Sequence, residues 1–257
     1  MKKAILYIFH GSRLKQSSSE AKLFFESCRK LLPYLVQHYS FLEFASPTIE
    51  EAFSKCVKSG ATDIAVVPVL LFSAGHAKQD IPNILRRLQR QYRDVNIYYG
   101  ETLGFHDYMI DVIAERVQRA LKTISGNTSN CKIVVIGRGS QDIEMQKNFR
   151  MLVSRVENQL QIQTDYCFLT AARPLFEHVL ANLSETNKQT IVFVPYFLFT
   201  GLLLKGIKRD LIKMSTNTSN QFILTEHIGL DEKVQSLVAK RAHEAFLLDS
   251  LHKKVMG

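Results

Sequence analysis

The chain has 257 residues, 46% of them hydrophobic and 22% charged, with a formal net charge of +9 and four cysteines. That is apolar material enough for the cores of two ordinary domains, while the longest apolar runs, 64–72 and 191–199, are too short to cross a bilayer. No secretory apolar region or small-residue cleavage site follows Met1-Lys2-Lys3, and Cys28, Cys56, Cys131 and Cys167 lack zinc or iron–sulfur spacing, so free thiols and a cytoplasmic location are expected. The basic residues are dispersed and carry no zinc-finger, RNP or helix-turn-helix pattern; no nucleic-acid partner is expected, and a small polyanion such as a polycarboxylate fits the charge.

Residues 4–9 form a short run rich in Ile and Phe, as a buried parallel strand requires. It ends in His10-Gly11-Ser12-Arg13, where the glycine allows a sharp turn at the carboxyl end of the strand. Open α/β sheets bind their ligands at that end. Ser17 and Glu20 are spaced as a capping box for a first helix, along which Ala21, Phe24, Phe25 and Cys28 recur at helical spacing. Residues 41–44 read as a second strand, and Thr48 with Glu51 as the cap of a second helix that Gly60 closes. A third strand is predicted over 64–67, with Pro68 ending its regular pairing. After a loop over 70–79, Asp80-Ile81-Pro82 reads as an N-cap with proline in the first helical turn. A strand over 95–99 and a helix over 106–123 complete this half.

The polar segment 123–130 is the best boundary in the chain. Beyond it the pattern restarts, with strands expected at 133–136, 165–169, 190–194 and 222–224 and a last helix over 231–247. The halves align by eye: Pro47 with Pro174 and Pro68 with Pro195, His10-Gly11-Ser12 with Arg138-Gly139-Ser140, and residues 100–104 with 225–229. The expected architecture is therefore α/β: two similar, Rossmann-related parallel-sheet domains, 1–124 and 125–257, produced by internal duplication and facing each other across a cleft.

The duplication supplies an internal control. His10, Glu43 and His76 in the first half align with Arg138, Thr170 and Leu203, so all three are lost together while the prolines, glycines and apolar strands are kept. Joint loss points to one shared task confined to the first half. Neighbouring parallel strands lie about 4.8 Å apart, so residues at their carboxyl ends can converge. Two imidazoles and a carboxylate suit Fe²⁺, Co²⁺, Ni²⁺ or Zn²⁺, and equally form an acid/base set. Ser12 is retained as Ser140 where the histidine is not, which reads as a turn-shaping serine. GxGxxG, GxxxxGK[ST] and GxSxG motifs are absent, against dinucleotide, P-loop and α/β-hydrolase chemistry.

His10-Gly11-Ser12-Arg13 after an N-terminal strand, Glu43, and Leu71-Phe72-Ser73-Ala74-Gly75-His76 followed by Asp80-Ile81-Pro82 together resemble the sirohydrochlorin chelatases, the class II tetrapyrrole chelatases of the SirB/CbiX type. The likeness covers the whole chain, is most marked to the bacterial ferrochelatases of siroheme synthesis, and departs mainly at Phe9, where a small residue often precedes the histidine. It implies ATP-independent insertion of Fe²⁺ into sirohydrochlorin with loss of two protons. Insertion of Co²⁺ for cobalamin synthesis, or a carrier that binds metal and tetrapyrrole without turnover, are the alternatives. By the same resemblance His10, His76 and Glu43 are the catalytic and metal-binding residues, with Glu43 helping to take up pyrrole protons. Ser12, Arg13, Lys78 and Arg138 are expected to bind substrate, with the cations facing its carboxylates. No organic cofactor is implied, the metal being a substrate. No membrane partner is expected, and a chain that already contains both halves is expected to act as a monomer.

Overall fold

A computed structural model describes residues 2–33, 35–73, 75–123, 130–184, 188–216 and 218–248; the side chains of His76 and Ser184 lie outside this description, as does most of the polar boundary segment. The first apolar run becomes β1 (Lys3–Phe9), fully buried from Ala4 onward. It lies between β2 (Val36–Phe41) and β3 (Asp63–Val69), and β4 (Asn96–Tyr99) completes a parallel sheet in the order β2-β1-β3-β4. From β1 the chain steps to one side for β2 and then to the other for β3. The carboxyl ends of β1 and β3 thus flank a topological switch point, where such sheets place their ligands.

Both faces of β1 are covered, which explains its unbroken apolar character. Ala4, Leu6 and Ile8 pack with α2 (Ile49–Lys58) and α3 (Ile81–Gln91), through Phe53 and Leu85 among others. On the opposite face Tyr7 and Phe9 meet Phe25 and Phe24 of α1 (Lys15–Leu31), with ring centroids 5.6 and 6.2 Å apart. Edge-on aromatic pairs of this kind add to the burial of their area.

Several local expectations shift. The first helix starts at Lys15 with Leu14 at its N-cap and no side-chain cap, so Ser17 is a buried residue of the first turn and not a cap. The second strand is Val36–Phe41, which puts Glu43 two residues past its end. Pro68 lies inside β3, in register with Ile8. The reason is visible in the neighbouring strand: the pairing of β4 with β3 starts at Asp63 opposite Asn96 and ends at Val66 opposite Tyr99. Residues 66 and 68 present their backbone to that same side, so the N–H that Pro68 lacks would face no strand. Thr48 and Glu51 do form a complete capping box, with Glu51 N–H donating to Thr48 Oγ1 at 3.2 Å and Thr48 N–H to Glu51 Oε2 at 2.9 Å.

The second half repeats the plan. Strands β5 (Cys131–Gly137), β6 (Thr164–Phe168), β7 (Thr190–Pro195) and β8 (Gln221–Leu224) form a parallel sheet in the order β6-β5-β7-β8. Helices α5 (Ile143–Leu160), α6 (Phe176–Ser184) and α7 (Leu202–Ser215) connect them. The last helix of each repeat goes elsewhere. Helix α4 (Asp107–Lys122) packs on α5 and β7, whereas α8 (Glu232–Ala245) packs on β3 and α1. The compact units are consequently Met1–Gly104 with the segment from Glu232 onward, and Phe105–Asp231. Repeats dividing at 124/125 and units dividing here are not the same pieces.

Two arginines mark this exchange. In one unit Arg241 of α8 donates its Nε–H to Thr102 O at 3.0 Å and pairs with Glu244 at 2.7 Å. In the other, Arg116 of α4 donates to His227 O at 3.4 Å and pairs with Asp231 at 3.4 Å. Position 116 aligns with 241 and 102 with 227, both by the offset that matches 100–104 to 225–229. Each repeat thus sends its last helix to the other and fastens it by the same bond. Among the described residues no helix is long and apolar enough to cross a membrane, and the four cysteines are free. Burial drives the Cys56 and Cys167 thiols up to about 12, as befits fully buried packing groups.

Candidate active site

The end of β1 and the end of β2 are tied beyond the last paired residues of the two strands. Leu42 N–H donates to Phe9 O at 2.8 Å and Glu43 N–H to His10 O at 3.1 Å. Gly11 makes this approach possible. Its φ is +91°, and a Cβ built there would sit 1.8 Å from Glu43 O. The chain then turns through Phe44 at φ 61°, and Phe41 N–H donates to Pro47 O at 2.8 Å, which leads into the capped start of α2. Glu43 is held from both sides.

The consequence is a direct contact: His10 Nδ1 lies 3.3 Å from Glu43 Oε1 and 3.1 Å from Gly11 O, with both side chains about one-third exposed (32% and 33%). Two acceptors around Nδ1 favour the tautomer with its hydrogen there, in which Nε2 carries the lone pair of the neutral ring. A carboxylate on the far nitrogen is the usual way a metal-binding histidine is oriented and made more basic. Glu43 retains a second oxygen with which to face a metal or take a proton.

The second unit repeats this construction without the imidazole and the carboxylate. Gly139 has φ +94° and its Cβ would lie 1.8 Å from Thr170 O, while Thr170 N–H donates to Arg138 O at 3.0 Å. The scaffold is identical; the imidazole and carboxylate are replaced. Ser12 and Ser140 also match, each accepting through Oγ from the backbone N–H two residues on (Leu14 at 3.2 Å, Asp142 at 3.1 Å), so this serine shapes the turn in both repeats. Arg13, Lys78 and Arg138 are exposed.

His76 opens a π-helical turn, His76–Asp80, that runs straight into α3. A loop was expected there, with Asp80 as cap; Asp80 instead has helical angles and makes no side-chain cap. Proline at 82 lacks an N–H and its ring crowds the carbonyl four residues back, which disfavours a regular α-turn and favours the wider one. Ala77 in that turn is buried, and Tyr99, the last residue of β4, donates its hydroxyl to Ala77 O at 2.9 Å. In the other repeat α7 begins directly after Gly201, and the residue aligned with Tyr99 is Leu224. Tyr99 was missed from sequence, although its replacement by Leu224 was visible in the repeat alignment. Burial raises its phenol pKa, so it remains a donor at all working pH values. Tyr99→Phe is expected to keep the fold but speed amide hydrogen exchange over 76–80, because the turn loses its bond to β4. Exchange measured by mass spectrometry, with the unfolding transition alongside, checks both.

Among the described residues no cluster of three or more His, Cys, Asp or Glu side chains forms. What does form is an imidazole–carboxylate pair across the carboxyl ends of β1 and β2, beside the switch point of one of two duplicated α/β units, the equipment of a protein that handles metal ions or protons. The CbiX family model matches the chain twice, over residues 4–120 and 132–245, and the chain belongs to that family. It is 38% identical over 245 residues to the sirohydrochlorin ferrochelatase of Bacillus subtilis (strain 168), covering 95% of this chain and 92% of that one. Among solved structures it is similar to SirB from Bacillus subtilis with Fe³⁺ (TM-score 0.86, 37% identity, 95% and 96% of the two chains). It is also similar to the sirohydrochlorin chelatase SirB from B. subtilis subspecies spizizenii in complex with cobalt (TM-score 0.82, 33% identity, 95% of each chain).

Proposed function

We propose that this protein inserts Fe²⁺ into sirohydrochlorin, without an organic cofactor, and that it acts as a cytoplasmic monomer. The observation that carries the reading is the His10–Glu43 contact at 3.3 Å, built across the ends of β1 and β2 in one repeat and replaced by Arg138 and Thr170 on a matching backbone in the other. The similarity to a ferrochelatase over nearly the full length of both chains supports the choice of reaction.

The chemistry sets three tasks. A partly dehydrated M²⁺ must be held on one face of the macrocycle, two pyrrole N–H protons must leave, and the ring must bend so that its nitrogen lone pairs are exposed. His10 receives the metal through Nε2 while Glu43 holds the Nδ1–H, and His76, at the head of the π-helical turn, supplies the second imidazole. The remaining oxygen of Glu43 faces the incoming metal, then lets go of it to accept one pyrrole proton, and the second proton passes to solvent. Arg13, Lys78 and Arg138 pair with the peripheral carboxylates, and Ser12 keeps its O–H to donate to one. Binding energy from that periphery is what can be used to distort the ring.

Cobalt is the second reading, because the same ligands accept it and a similar chelatase structure holds it. Anaerobic incubation of excess sirohydrochlorin with Fe²⁺ or Co²⁺, followed through the tetrapyrrole absorption, tests the proposal. Many turnovers per chain are expected, faster with Fe²⁺. A single stoichiometric spectral change without turnover would leave a carrier and overturn the enzyme.

A further inference from the structure

The turn that follows Glu43 carries a residue that its own fold does not need. Phe44 has φ 61° and is 54% exposed, so it occupies the left-handed region without burying its ring. For a bulky side chain this conformation is strained, and such strain gathers at functional sites. The backbone is not the reason for the phenyl group: the second repeat makes the same turn, at φ 58°, with Ala171. The ring does have one neighbour of note, the Arg13 guanidinium, whose Cζ lies 4.9 Å from its centroid. Arg13 aligns with Gln141, so the stacked pair is present in the repeat that carries His10 and Glu43 and absent from the other.

We infer that Phe44 and Arg13 form the platform on which the tetrapyrrole docks, the phenyl ring lying against the apolar face of the macrocycle and the guanidinium pairing with one of its carboxylates. The inference rests on the chelatase reading and adds the residue that recognises the organic substrate. Two features select this ligand class. A flat, conjugated ring edged with carboxylates matches an exposed aromatic face next to a fixed cation, and stacking on the phenyl restricts the rotamers of Arg13 before the ligand arrives. Phe44 is also the immediate chain neighbour of Glu43, about 3.8 Å away between Cα atoms, which puts the platform within one macrocycle's width of the His10–Glu43 pair.

The test is Phe44→Gly, with Arg13→Gln beside it, in the full chain. Glycine relieves the left-handed strain, so the variant is expected to unfold at a higher denaturant concentration than the wild type, with Co²⁺ binding unchanged. Its dissociation constant for metal-free sirohydrochlorin, read by fluorescence quenching, is expected to rise on the order of 10-fold, the equivalent of one lost stacking contact. Arg13→Gln should raise it too and flatten its dependence on salt. Higher stability with weaker tetrapyrrole binding is a combination that a purely structural residue does not produce. Unchanged tetrapyrrole binding in Phe44→Gly, in a protein whose wild type turns over, overturns the platform and leaves the chelatase standing. A wild type that binds no sirohydrochlorin overturns both.

Discussion

His10→Ala and His76→Ala are each expected to lower the rate of metal insertion by on the order of 10²–10⁴-fold, the range in which a positioned acid, base or ligand contributes. Glu43→Gln should act almost as strongly. The amide keeps the shape of the carboxylate but carries no charge to orient His10 Nδ1–H, which sits 3.3 Å from Oε1, and is too weak a base to accept a pyrrole proton. The separation between the roles lies in binding. His10→Ala should abolish tight Co²⁺ binding in the absence of tetrapyrrole, whereas Glu43→Gln should weaken it by roughly 10–100-fold while suppressing turnover further. Arg138→Ala, in the copy without an imidazole, should leave Co²⁺ binding as it is and raise only the KM for the tetrapyrrole. Stopped-flow absorption for turnover and a metal titration for binding read these apart; full activity in His10→Ala would remove the site altogether.

Gly11→Ala is expected to be the most damaging single methyl group in the first repeat. At φ +91° alanine is strained by about 1–3 kcal/mol before any contact is considered. Its Cβ would then lie 1.8 Å from Glu43 O, a backbone atom that cannot swing aside. The turn must open, and with it the bond from Glu43 N–H to His10 O at 3.1 Å. Urea unfolding should show a loss of several kcal/mol, at the upper end for single substitutions, together with loss of Co²⁺ binding. Gly139→Ala meets Thr170 O at the same 1.8 Å and should cost a similar amount of stability, with the His10–Glu43 contact and metal binding preserved. The matched pair separates damage to the scaffold from damage to the site.

Much of this was legible in the sequence because buried parallel strands are written as unbroken apolar runs. That pattern located β1 and the turn carrying His10, and the repeat alignment then isolated Glu43 and His76. The edge strand β2 is less legible: Gln37, His38 and Ser40 interrupt its apolar pattern, so the apolar run at 41–44 points too late and takes in Glu43, two residues past the true end. Gln37 is in fact committed to buried hydrogen bonds, accepting from Tyr7 Oη at 2.8 Å and donating to Leu32 O at 2.6 Å. Pro68 misled for a related reason. Its tolerance depends on where β4 stops, which is a property of the neighbour and not of the proline. Which sheet α4 and α8 cover was not legible at all. An amphipathic helix states that one face is buried and says nothing about against what.

That exchange of helices has a bearing on how the protein is made. The unit Phe105–Asp231 is continuous in sequence, so it holds all its elements once residue 231 has left the ribosome. The unit bearing His10 and Glu43 begins earlier and finishes later, because the face of β3 and α1 that α8 covers stays bare until the stretch from Glu232 to Ala245 has been synthesised. Val234, Leu237 and Val238 of α8 are then buried, and Ala245 comes so near Gly100 that a Cβ at the glycine would lie 3.1 Å from it. The unit that carries the His10–Glu43 pair is thus the first to be begun and the last to close, and a nascent chain halted before residue 232 would hold that pair on a sheet still open to water.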